Sequence, residues 1–130
     1  MGAWGFKFYE NDDATDWLAD FGEAPAWPLV FTALQVDQTG YVEAPEACCA
    51  IASAELVAAA NHHPSPALDQ SLARWAAADV NAPAGQQMAG LAAGIVQYLA
   101  HHGELAELWQ EGDDAEWQAE MSDLQKRLTR

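Results

Sequence analysis

An all-α fold, a single compact bundle of about six helices with an extended aromatic N-terminal segment, is predicted by three observations. Alanine supplies 28 of the 130 residues, and it is the best helix former, with a side chain small enough to let helices approach closely. Apolar residues recur at the three-and-four spacing of a helix face rather than in alternation. Prolines, glycines and a His62-His63-Pro64 stop divide the chain at helical lengths. The chain is expected to form one domain, residues 1–130, long enough to bury about two thirds of its unfolded surface.

The first helix is expected on Ala14, Trp17, Leu18 and Phe21, which share one face. Asn11 or Asp12 is its natural N-cap, since either side chain can accept a free N–H of the first turn. Asp13 and Asp16 sit near the positive end of its dipole, and Gly22 ends it. A second helix uses Trp27, Val30, Phe31 and Leu34, with Pro28 in the first turn, where its missing N–H costs nothing. Asp37 to Gly40 reads as a turn. Pro45 begins a long alanine-rich helix reaching about Ala60, with Cys48, Ile51 or Ala52, Leu56 and Ala59 inward. Pro66 opens the next, placing Leu68, Leu72, Trp75 and Ala76 inward, and Asn81-Ala82-Pro83 divides it from a longer one whose stripe is Met88, Leu91, Ile95 and Leu99. Gly103 breaks that helix. A short segment through Leu105, Leu108 and Trp109 precedes a last helix on Trp117, Met121, Leu124 and Leu128, whose terminal Lys126, Arg127 and Arg130 complement its dipole.

Charge narrows the range of partners. Twenty acidic residues face five basic ones, for a net charge of −15, and residues 1–125 carry only Lys7 and Arg74 as bases. Such a surface repels phosphate, so neither direct nucleic-acid binding nor an anionic membrane is expected. The alanine-rich run from Ala47 to Ala60 is too short for a membrane span and contains Glu55. The first residues lack the basic start and unbroken apolar core of a secretory leader, so a cytoplasmic location is expected. Cys48 and Cys49 are adjacent, a spacing that suits neither a disulfide framework nor a Cys-x-x-Cys motif, and they read as buried thiols.

The start Met1-Gly2-Ala3-Trp4-Gly5, followed by Asn11-Asp12-Asp13-Ala14 and Asp16-Trp17, resembles the bacterial family catalogued as domain of unknown function 4259. Tyr41 to Ala47, then Ala52-Ser53-Ala54-Glu55, is similar to its middle segment. Glu104-Leu105 to Trp109, and Trp117, Leu124 and Leu128, are similar to its C-terminal pattern. Phe6 and Lys7 depart from it, standing where members usually have a small, flexible pair. The resemblance implies a compact, mostly helical protein and transfers no catalytic residues.

Several clusters carry possible chemistry. Glu10, Asp12, Asp13 and Asp16 supply the oxygens that hard cations prefer, but without the alternating ligands and central glycine of an EF-hand loop, and helix capping explains Asp12, Asp13 and Asp16 without a metal. His62-His63 and His101-His102 each fall at a helix end; adjacent helical residues diverge by about 100° and cannot share one ion, so a metal site requires both pairs to meet. Glu55 has apolar neighbours on its helix and is expected to be partly buried and to meet Arg74 as a structural ion pair, the alternative being that it faces water. No nucleophile elbow, phosphate loop, dinucleotide fingerprint or zinc-protease motif occurs, and no cofactor is expected. The favoured function is binding of a basic protein partner, immunity or antitoxin-like, with Trp4, Trp27 and Trp109 as aromatic anchors. The alternatives are a small metal-binding or metal-dependent protein using the histidine pairs or the N-terminal carboxylates, and mimicry of DNA by carboxylates.

Overall fold

The computed structural model describes residues 7–130. It is a compact all-α structure with no strand among those residues. Among the described residues there are seven α-helices: α1 (Asp12–Glu23), α2 (Trp27–Ala33), α3 (Ala44–Ala60), α4 (Gln70–Ala77), α5 (Ala82–His101), α6 (Glu104–Gln110) and α7 (Ala115–Leu128). A single 3₁₀ turn, Asp79–Asn81, joins α4 to α5. The expected all-α fold is therefore found, with one helix more than expected because the short segment after Gly103 is itself helical. Residues 7–10 form a turn, Glu10 N–H donating to the Lys7 carbonyl at 2.9 Å; the rest of the aromatic N-terminal segment, Trp4 included, lies outside the described residues.

Helix α3 is the axis, and all six other α-helices pack against it. From Ala50 to Ala60 every residue is buried, the pattern of a helix that is apolar all round. Its alanines make this possible. At Gly85 of α5, an added Cβ would stand 2.6 Å from the Ala60 Cβ, so the two backbones meet with no side chain between them. Asn61 seals that contact by donating from Nδ2 to the Val57 carbonyl at 3.1 Å and to the Gly85 carbonyl at 3.0 Å.

Local chemistry sets the helix ends. Asn11, in extended backbone, accepts the Ala14 N–H on Oδ1 at 2.7 Å, so it is the cap and Asp12 is the exposed first residue of α1. Gly22 does not end α1, which runs one residue further. Pro66 does not open α4; Asp69 does, accepting the N–H groups of Ser71 and Leu72. Gly103 ends α5 with φ +97°, and a side chain there would press on the Val42 carbonyl at 2.9 Å. This close approach lets Glu104 donate its N–H to the Val42 carbonyl at 2.8 Å and accept the Ala44 N–H on Oε1 at 2.7 Å, so α3 is capped by a residue 60 positions away.

A chain of rings ties the outer helices together. Trp17 stacks on Phe21 at 5.1 Å, Phe21 meets Trp75 edge-on at 5.4 Å, and Trp75 lies 5.1 Å from Trp27. Each such pair contributes about 0.5–1.5 kcal/mol beyond its buried area. Two apolar residues expected inward point out instead: Phe31 is 48% and Leu91 37% exposed. Val30 of α2 and Leu34, its C-cap, reach the core, as do Ile95, Val96 and Leu99 of α5, which turns Phe31 and Leu91 away.

The Gly85 contact gives a direct test. Gly85→Ala should lower stability by about 1–3 kcal/mol through overpacking against Ala60. Gly90→Ala and Gly94→Ala, where an added Cβ meets nothing within 4 Å, should raise it by about 0.5–1 kcal/mol each. Urea unfolding midpoints at constant slope distinguish the two signs.

Candidate functional site

The one acidic side chain in the described core is Glu55, 3% exposed. It lies on the α3 face turned toward α7, and its partner is Arg127. Nη1 donates to Oε1 at 2.9 Å and Nη2 to Oε2 at 3.1 Å, a two-pronged ion pair between buried groups. Arg127 also donates Nε to Asp123 Oδ2 at 2.8 Å and Nη1 to the His63 carbonyl at 3.2 Å. The expected burial of Glu55 is thus found, and the expected partner is not. Arg74 is exposed on α4. Arg127 stands three residues past Leu124, on the inward stripe of α7, a position that marks it for burial as clearly as for the helix dipole.

Burial pushes the Glu55 carboxyl above its ordinary range, and the guanidinium beside it pulls the other way without cancelling the push; Asp123 and Glu120 add to the rise. For Arg127, desolvation acts to lower the pKa, but the hydrogen bonds and charges of Glu55 and Asp123 outweigh it and hold the guanidinium firmly protonated.

Beside this pair runs a narrow crevice of about 20 Å³, room for about one water-sized group. Its apolar lining includes Phe8, Trp109, Trp117, Met121 and Ile51, and Glu55, Cys48 and Lys7 also border it. At its rim Lys7 Nζ donates to Glu120 Oε1 at 2.6 Å. The hydrogen bond and charge of Glu120 raise the Lys7 pKa. Cys48 is no nucleophile at neutral pH, because burial and the nearby Asp13 push its thiol up to about 12.

Other expected site residues are placed as follows. Trp27 is half-buried, donating its indole N–H to Asn81 Oδ1 at 2.8 Å, while Asn81 Nδ2 donates to the Trp75 carbonyl at 2.6 Å; it is a staple between α2 and the 3₁₀ turn that follows α4. Trp109 is half-buried in the crevice wall, and Trp4 lies outside the described residues. The histidine pairs are not brought together. His62-His63 follow the C-terminal end of α3, where Gly85 meets Ala60; His101-His102 precede Gly103, which meets Val42 at the opposite end. The 17 residues of α3 put about 25 Å between those ends, so no four-histidine centre forms. His102 instead stacks on Tyr98 at 4.6 Å. Among the described residues no group of three or more His, Cys, Asp or Glu is placed to share a metal ion.

Fold and site together define a class: an acidic all-α bundle built around a buried axial helix with a Glu–Arg pair beside a narrow crevice. Its family is the one described as Domain of unknown function (DUF4259), whose model matches residues 2–120, and the chain belongs to it. Asp123 and Arg127 lie beyond the matched stretch. No curated protein and no solved structure matches the chain.

Removing one partner of the buried pair leaves an uncompensated charge, so Arg127→Ala should cost about 3–5 kcal/mol of folding stability. Arg74→Ala should leave stability within about 0.5 kcal/mol of the parent. Thermal and urea unfolding of both variants check this; equal effects would contradict the assigned pairing.

Proposed function

We propose that the protein is a cytoplasmic binding module that captures a basic protein partner, in the manner of an immunity or antitoxin-like protein masking a cationic surface. The observation that carries this reading is the partition of charge. Every Asp and Glu except Glu55 reaches the surface, while two of the five bases are engaged by acids of the protein itself, Arg127 inside and Lys7 on Glu120. Exposed basic side chains are left only at Arg74, Lys126 and Arg130 among the described residues. The outer field is therefore more one-sided than composition alone requires, and such a field speeds encounter with an opposite surface.

Affinity also needs apolar contact at the interface core. Phe31 and Val80, 48% and 84% exposed, supply it better than Trp27 and Trp109, which are committed to packing. No helix among the described residues is long and apolar enough to cross a membrane.

Affinity capture from native lysate at low and moderate salt tests the reading, with partners identified by mass. Basic proteins should be retained at low salt and released as salt shortens the screening length toward about 10 Å. Recovery of nothing but chaperones at either salt would overturn it.

A further inference from the structure

On the outer side of the Lys7–Glu120 pair lies a second, wider hollow of about 290 Å³. It shares Lys7, Phe8 and Glu120 with the narrow crevice, so the ion pair stands between the two spaces. Phe8, Tyr9, Pro66 and Ala67 make its apolar walls, with the Phe8 and Tyr9 rings edge to face at 5.4 Å. Glu120 and Asp123 make its acidic side. They stand three apart on α7, a spacing that sets two side chains on one helix face about 5–6 Å apart.

Resting on the basic-partner reading above, we propose that this hollow receives an arginine side chain of that partner, its guanidinium set between Glu120 and Asp123 and its stem along Phe8, Tyr9 and Pro66. A carboxylate has about four acceptor positions. One bond to Lys7 Nζ and one to Arg127 Nε therefore leave Glu120 and Asp123 able to accept more. Three carboxylates, Glu55, Glu120 and Asp123, share two cations here, so the site favours a third. Asp123, with its side chain 58% exposed, meets the incoming group from solvent. A planar guanidinium suits these surroundings better than an ammonium, because its fork spans two carboxylates and its face stacks on an aromatic ring. Lys7 already sets one cation on Glu120, and the partner's arginine competes with it for that carboxylate.

A fluorescein-labelled hexa-arginine peptide titrated by anisotropy tests this at low salt, with each variant's unfolding midpoint measured alongside. Glu120→Gln with Asp123→Asn should weaken binding about tenfold. Glu23→Gln with Asp79→Asn, the same change of charge on exposed acids of α1 and the 3₁₀ turn, should weaken it less than about threefold. Lys7→Ala should tighten binding more than Arg74→Ala does, since only the first removes a competitor. Equal losses for the two acid pairs, or equal gains for the two base variants, overturn the hollow while leaving the basic-partner reading intact. No binding by the parent protein overturns both.

Discussion

Burial of α3 on every side from Ala50 to Ala60 is the constraint on which the rest of the structure depends. A helix enclosed by six others can present only small side chains where backbones cross, and its Ala-rich sequence meets that demand. Gly85 extends the same logic to the neighbour, giving up helix propensity so that α5 can lie directly on Ala60. Enclosure also dictates how α3 ends and what it carries. Its first turn has no cap from its own N-cap residue and takes one from Glu104, which Gly103 positions. Its buried acidic residue, Glu55, cannot reach water and is matched by Arg127, the buried cation of α7.

This arrangement reconciles a net charge of −15 with a folded chain. Like charges spread over the outside repel one another and favour expansion. The counterweight is an interior made of close helix contacts and a ring chain, Trp17, Phe21, Trp75 and Trp27, that links α1, α4 and α2. The scarce bases are not distributed to neutralise the surface. Arg127 serves the core, Lys7 fastens the N-terminal turn to α7, and the outer field stays negative.

Much of the fold was legible from local signals. Asn11 caps α1 because a short polar side chain before an apolar period reaches the free N–H groups, and Pro45 sits in the first turn of α3 for the complementary reason. Gly103 reads as a break, and its positive φ shows why no larger residue would serve. What spacing does not reveal is which of two apolar flanks meets a neighbour, so Phe31 and Leu91 look inward in sequence and are exposed in space. Spacing hides the partner of Glu55 for a similar reason. Arg74 is nearer in sequence, but the match is made across 72 residues by a base that also fits a helix dipole. The histidine pairs look equivalent as helix ends, and only the antiparallel run of α3 and α5 separates them.

If α3 is the axis, its amides can open only when the whole molecule does. Native-state hydrogen exchange followed residue by residue in low denaturant measures this directly, because locally opened segments exchange with less free energy than global unfolding requires. Amides of Ala52 to Ala59 should exchange with the full global unfolding free energy, while those of α2 and α6 exchange through smaller openings. Exchange from α3 at lower free energy than from α5 or α7 would contradict the account.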